Sequence, residues 1–395
     1  MRRGGLLGRG LPIVDYSVCC ALGANRAQVQ AKLFEGGSGL MAPPFALPYP
    51  APCGLVPVAL PELPVARGAY DTRQARLALL ALAPLRESIA RSVERHGATR
   101  VGIVLGSSNA GLDTTERRHR KYLSDGRAAG STFLPAQHAF SAVLDLLRLE
   151  TGIAGPAHFV STACSSAGKA FGSAARLVEA GVVDAVLVGG VDALCEMTVR
   201  GFRSLGVLAE TPCRPFGAER PGINIGEGAA LFVLDRAGDA PCALLGVGES
   251  ADAHHMTAPD PEGTGAEQAM RGALALAQLT PSDIDLINAH ATGTATGDVA
   301  EALAIDRIFG RSVPVSATKG YTGHALGAAG AIEAALAMLC LDHSWLPASL
   351  GALPLDPSLH IDVVTGGRTA KIRRFLSNSC AFGGSNVSVI MGRAP

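Results

Sequence analysis

The chain has 395 residues, 48% of them hydrophobic and 17% charged, with one Trp, which is enough to bury a large core in one unit or in two halves that share it. Lys and Arg number 34 and so do Asp and Glu, so the net charge is zero and no global field draws nucleic acid or an anionic membrane surface. The 9 cysteines form an odd, scattered set without a Cys-x-x-Cys pair, which argues against a disulfide framework and structural zinc and points to the reducing cytoplasm.

The chain starts basic, as a signal peptide does, but Arg9 and Pro12 interrupt any apolar run. No stretch approaches the roughly 18 uninterrupted apolar residues of a membrane span, so neither export nor a span is expected. A strand is predicted over 11–16, then a helix near 26–34 that stops at Glu35-Gly36-Gly37-Ser38-Gly39. Residues 41–66 carry many prolines and read as a surface excursion. Ala, Leu and Ile spaced among Arg and Glu predict one long amphipathic helix over 73–95. The strand 101–105 ends in Gly106-Ser107-Ser108-Asn109-Ala110-Gly111, and the basic cluster Arg117-Arg118-His119-Arg120-Lys121 reads as a solvated face. Then come a strand at 158–161, a helix from about 165 to 180, and a strand over 182–188 ending in Gly189-Gly190. Near-continuous apolar strands such as 183–188 and 284–288 suit a sheet buried on both faces. Their alternation with apolar helices gives an α/β class. A seam at 236–241 divides the chain into a half over 1–240 and a half over 241–395.

Two stretches, 160–172 and 315–327, can be laid over each other without a gap, matching at Val, Ser, Gly, Ala and Gly. Each reads as a short strand, a tight turn and an apolar helix, so the chain looks like a duplicated βα unit whose two turns face one site. The overlay puts Cys164 on Lys319 and Lys169 on His324. Cys164, at the start of a helix, is placed where backbone N–H groups and the helix dipole lower a thiol pKa, although a small buried cysteine is the common alternative. His290 closes the strand 284–289 and opens the turn Ala291-Thr292-Gly293-Thr294, at the strand end where α/β proteins collect working residues. Lys319-Gly320-Tyr321-Thr322-Gly323-His324 lacks the spacing of a phosphate loop. Ser377-Asn378-Ser379-Cys380-Ala381-Phe382-Gly383-Gly384-Ser385-Asn386 joins two strands.

Cys164 in Thr-Ala-Cys-Ser-Ser, His290 in Asn-Ala-His-Ala-Thr-Gly-Thr, Lys319 and His324 in Thr-Lys-Gly-Tyr-Thr-Gly-His, and Phe382 in Ala-Phe-Gly-Gly-Ser-Asn together resemble the β-ketoacyl-[acyl-carrier-protein] synthases of the KAS I/II type. The likeness runs from about residue 11 to the C-terminus in the family's order and spacing. It implies a thiolase fold: two βαβαβαββ halves in five α-β-α-β-α layers, one site between them, and a dimer. It further implies that Cys164 carries the acyl chain as a thioester and that the N–H groups of Cys164 and Phe382 form an oxyanion hole. His290 and His324 would donate to the malonyl thioester carbonyl while carbon dioxide leaves. Lys319, with Glu301 as its acidic partner, would order the histidines. Thr292 and Thr294 would hold the phosphopantetheine arm, Phe382 would be the gate, and Asn109 and Phe202 would border the acyl pocket. No resident cofactor and no metal are implied. The substrates ride on the 4'-phosphopantetheine of acyl carrier protein, and the second subunit is a like chain or a ketosynthase-like one.

The departures are Cys380 where an aromatic residue is usual, Ala291 for Gly, Gly217 for Asp, and Asn109 for an aliphatic or small residue. With the stretch 191–208 they suggest the aryl-polyene branch of the family. Competing readings are a thiolase, for which Cys380 would be the acid/base, and a non-catalytic chain-length factor, which usually lacks the nucleophile that is present here.

Overall fold

The computed structural model describes residues 10–125 and 134–393. The basic start of the chain lies outside the described residues. The first half supplies β1 (Leu11–Cys19), β2 (Val101–Gly106), β3 (Ala157–Val160), β4 (Ala185–Asp192) and β5 (Gly228–Asp235). The second supplies β6 (Cys242–Ala251), β7 (Leu286–Asn288), β8 (Pro314–Ser316), β9 (Arg374–Ala381) and β10 (Ser385–Arg393). Strand order is β3-β2-β4-β5-β1 in one half and β8-β7-β9-β10-β6 in the other. In both, the first three strands run parallel and the last two pair antiparallel. The duplication expected from sequence is therefore present as a repeated topology. The two sheets touch along an edge where Leu11 and Pro12 pair with Leu244 and Ala243.

Besides the short helix Pro135–His138, the α-helices among the described residues are α1 (Arg26–Glu35), α2 (Arg73–Leu82), α3 (Arg86–His96), α4 (Leu112–Asp125), α5 (Ser141–Thr151), α6 (Ser166–Glu179), α7 (Glu196–Ser204), α8 (Thr264–Ala277), α9 (Gly297–Phe309), α10 (Lys319–Thr322) and α11 (Ala329–His343). Three apolar clusters define the layers. Leu77, Leu82, Ile89 and Leu146 from α2, α3 and α5 pack on Ile103, Leu187 and Leu231 of the first sheet. Met270, Ala273 and Ile305 from α8 and α9 pack on Ile287, Leu376 and Ile390 of the second. The third cluster joins the sheets through α6 and α11, where Phe171, Val178, Ile332 and Leu336 meet Phe232, Leu244 and Val389. The result is the α-β-α-β-α thiolase arrangement. Residues Leu326–His343 are apolar and long enough to cross a membrane, yet 89% of that segment is buried as this middle layer. Close helix approach rests on glycine: a Cβ at Gly190 of β4 would stand 2.8 Å from the Ala167 Cβ of α6 and 2.9 Å from the Ala328 Cα.

Several sequence expectations need correction. The long helix over 73–95 is two helices joined by a 3-10 turn, Ala83–Leu85, because Pro84 has no N–H to continue the ladder. Residues 41–66 are not wholly a surface excursion: Ala51, Cys53 and Leu55 are buried with Ile225 and Leu326, and Val56 is buried in the cluster of α2, α3 and α5. The gapless overlay of 160–172 on 315–327 holds through the strands and then fails. After β3 the helix α6 opens at Ser166, whereas after β8 the short α10 and a 3-10 turn, Leu326–Ala328, come before α11. Lys319 opens α10, and His324 lies between α10 and that 3-10 turn.

Candidate active site

The site is built where the two halves abut. Cys164 sits in the turn between β3 and α6, just after Ala163, which takes φ +51°. His290 lies past the end of β7 and is followed by Ala291 at φ +25°, and His324 is followed two residues on by Leu326 at φ +50°. Each key residue is thus flanked by a non-glycine residue held in the left-handed region, a conformation that costs of order 1–3 kcal/mol and that the packing around it must impose. The Cys164 sulfur and a ring nitrogen from each of His290 and His324 all lie within 4.8 Å of one another. The imidazoles meet edge to face, 5.1 Å between centroids at 82°. Thiol and imidazole nitrogens at this spacing are also soft-metal donors, the arrangement among the described residues able to hold such an ion.

Burial and charge set the protonation states. His290 and His324 are held well below the usual histidine range by burial and then by Lys319, so both rings are neutral near pH 7. Burial pushes the Cys164 thiol up to about 12, opposed by Lys319 and by the Phe382 N–H, which points at the sulfur. The lowered thiol pKa expected from the helix start is therefore not found, because burial outweighs the Lys319 charge and the Phe382 N–H. Both ring nitrogens of His324 are buried without a hydrogen-bond partner among the described residues. His324 also lines the cavity, and the one N–H of its neutral ring is a donor for a substrate oxygen.

The partner expected for Lys319 also needs correction. Its ammonium is paired with Glu333 of α11, donates to the His290 carbonyl and stands 3.2 Å from His290 Nδ1. Glu301 instead caps the turn at His290, accepting from the His290 and Ala291 N–H groups at 2.8 Å each and from Asn378 Nδ2 at 3.0 Å. Sequence reading passed over Glu333, although a lone carboxylate inside the apolar run 329–341 was its signal. Lys319 and Glu333 are 1% and 3% exposed, so each neutralises a charge that the core cannot solvate.

Cys164, His290, His324, Glu301, Thr292, Thr294, Phe202, Phe382 and Cys380 all line one cavity with an empty volume of about 880 Å³, its open mouth included. Thr292 and Thr294 hydroxyls are 3.0 Å apart. Phe202 stacks on Phe382 with centroids 5.6 Å apart at 24°. Asn109 is not part of the cavity wall: its amide donates to the Ala193 carbonyl at 2.7 Å, which holds the side chain against the end of β4.

With this geometry in view, comparison with known proteins settles the family. The profile "Beta-ketoacyl synthase, N-terminal domain" matches residues 70–240 and "Beta-ketoacyl synthase, C-terminal domain" matches 242–352. The chain belongs to the β-ketoacyl synthase family. It is 32% identical to 3-oxoacyl-[acyl-carrier-protein] synthase 2 of Staphylococcus aureus over 80% of this chain and 84% of that one. It is also 32% identical to nodulation protein E of Rhizobium leguminosarum bv. trifolii, over 96% and 98% of the two chains. Among solved structures it resembles the ketosynthase ApeO in complex with its chain length factor ApeC from Xenorhabdus doucetiae, with a TM-score of 0.92, 38% identity and 98% of each chain covered. The enzyme is accordingly an acyltransferase of the condensing type.

Proposed function

We propose that this β-ketoacyl synthase joins malonyl-carrier protein to an acyl group held on Cys164, with release of carbon dioxide. The observation that carries the reading is one buried thiol beside two neutral imidazoles, one of them with both ring nitrogens unpartnered. In acyl transfer the Cys164 sulfur adds to the incoming thioester carbonyl. Its proton passes to a neighbouring imidazole and leaves with the departing carrier thiol, and the Phe382 N–H, which points at the free sulfur, is assigned to the oxyanion. The two imidazoles then donate to the malonyl thioester carbonyl. As the carbon–carbon bond to the carboxylate breaks, its electrons form an enolate, whose carbon attacks the acyl-Cys164 thioester and breaks its carbon–sulfur bond; the β-ketoacyl chain leaves on the carrier and the Cys164 thiolate takes up a proton from water. Neutral donors suit this step because the oxygen gains charge only in the transition state. Lys319, fixed by Glu333, orders His290.

Thr292 and Thr294, part of the cavity wall, are assigned to the phosphopantetheine arm of the carrier, a substrate and not a resident cofactor. The flat stack of Phe202 on Phe382 supports an aryl or polyunsaturated acyl chain, as in aryl-polyene assembly. Residues 1–240 and 241–395 are taken as the two halves, and the nine free thiols favour the cytoplasm. ApeO, seen with a chain length factor, supports a heterodimer with a ketosynthase-like subunit over a homodimer. For the acidic carrier protein we assign the cleft lined by Arg73, Arg76, Arg117, Arg118 and Lys121. Cys380 in the same cavity supports a second reading, a thiolase that cleaves acetoacetyl-CoA.

Intact mass measured after incubation with acyl-carrier proteins tests the proposal, with Cys164→Ala alongside. The expected result is a gain of one acyl group, absent in the variant and lost on adding malonyl-carrier protein. Failure to acylate, with or without a partner subunit, would overturn it. Cleavage of acetoacetyl-CoA unaffected by His324→Ala would favour the thiolase.

A further inference from the structure

His324 makes no side-chain hydrogen bond among the described residues, so its aim is set through its backbone. On one side that backbone is pinned to the first half of the chain: the His324 N–H donates to the Asn224 carbonyl at 2.7 Å and the Gly226 N–H to the His324 carbonyl at 2.9 Å. On the other side the chain passes through Leu326 at φ +50° to Gly327, whose N–H donates to Ser108 Oγ at 3.3 Å. Contact here is close enough to require glycine, since a Cβ at Gly327 would lie 2.7 Å from the Ser108 nitrogen and 2.8 Å from Asp192 Oδ2.

Most of the hydrogen bonds that hold the 107–109 turn converge on one side chain. Asp192, at the end of β4 and fully buried, accepts from Ser107 Oγ at 2.6 Å, Ser108 N at 3.0 Å, Ser108 Oγ at 3.0 Å and Asn109 N at 3.2 Å. Gln74 Nε2 holds Ser107 Oγ from the far side at 2.7 Å and donates to the Val191 carbonyl at 3.0 Å. Each hydroxyl is used as both donor and acceptor, which orients the chain from Gln74 through Asp192 to Gly327. A carboxylate is the side chain that satisfies this set, because four donors converge on it and an amide would turn its own N–H toward some of them. Asp192 is hydrogen-bonded to none of the acyl-transfer or condensation groups, and its charge acts on Cys164 only by raising the thiol.

We propose that Asp192 is a positioning residue for His324: by fixing the 107–109 turn it holds the Gly327 end of the His324 segment, so a carboxylate in the first half aims a catalytic imidazole carried by the second. The proposal rests on the assignment of His324 to decarboxylation made above. It predicts a split between the half-reactions. Loss of the anchor lowers malonyl-carrier protein decarboxylation but does not lower acylation of Cys164, because the Asp192 charge raises that thiol and its removal does not make the sulfur a poorer nucleophile.

The test measures both half-reactions on the purified full-length enzyme, with its partner subunit if one is required, for Asp192→Asn, Asp192→Glu, Ser108→Ala and His324→Ala. Decarboxylation kcat is expected to fall roughly 10- to 100-fold in Asp192→Asn at unchanged KM, the scale of a misplacement of about 1 Å, while acylation stays within about twofold. Ser108→Ala, a mild change should Asp192→Asn fold poorly, is expected to show the same split at smaller size, and Asp192→Glu to recover part of it. Equal loss in both half-reactions, or no loss in either, overturns the proposal. Should His324→Ala itself leave decarboxylation intact, the assignment beneath it fails instead.

Discussion

Two histidines lie against one thiol, and their protonation decides what pH does to the reaction. Burial, with Lys319 beside it, keeps both rings neutral from well below pH 6.5 upward. Neither ring titrates between pH 6.5 and 8, so in that window pH is expected to act through Glu333, which burial raises to about 7, and to change the decarboxylation rate by no more than about threefold. A rate that falls about tenfold per pH unit would show that an imidazolium is the donor. The same shift has a stability consequence with a definite sign: below pH 6.5 the unfolded chain takes up protons that the buried rings refuse, so these residues cost stability as pH falls. Glu333 is a second residue-level test. Glu333→Gln leaves the Lys319 ammonium buried and uncompensated, and a loss of about 3–5 kcal/mol is expected from chemical denaturation. An unchanged denaturation midpoint would mean that another group carries the pairing.

At the level of elements, the two middle helices decide how closely the halves approach. The first turn of α6 lies directly on β2, where a Cβ at Gly106 would fall inside the backbone of Ala167 and Ser166. Backbone atoms cannot rotate away as a side-chain tip can. Gly106→Ala is therefore expected to cost about 2 kcal/mol or more, read as a lower urea midpoint at unchanged slope, and to disturb Cys164 acylation because Cys164 immediately precedes that turn. A variant as stable as the parent would show that α6 can slide. Some elements are readable from sequence: β2 and β4 are buried along their whole length, as the apolar runs 101–105 and 183–188 require. The long helix over 73–95 was misread because apolar spacing continues across Pro84 while the hydrogen-bond ladder does not.

Across the whole molecule, the carrier protein's face is the open question that charge addresses. Arg73 is tied to Glu227, Arg76 to Asp71 and Arg117 to Asp113, which offsets much of the cleft's positive charge. Arg118 and Lys121 are the better probes, since reversing Arg117 would also remove its grip on Asp113 within α4. Arg118→Glu with Lys121→Glu is expected to raise KM for carrier-bound substrate about tenfold at low salt, with the effect fading as salt is added. An unaltered KM would move the docking face elsewhere.

The residue types and their order already contained the chemistry: Cys164, His290, Lys319 and His324 stood in recognisable turns, and repeated strand–helix alternation pointed to a duplicated α/β fold. Such features are local, carried by short motifs and by periodicity, and so survive in one dimension. What the tertiary structure decided was pairing and solvation. That Glu333 and not Glu301 faces Lys319, that the Cys164 thiol is pushed up to about 12, that Asn109 stays out of the cavity, and that Asp192 anchors the turn beside Gly327 all depend on which groups are brought together in a dry interior. Desolvation and donor count belong to the assembled core, and they are set by residues far apart in the chain.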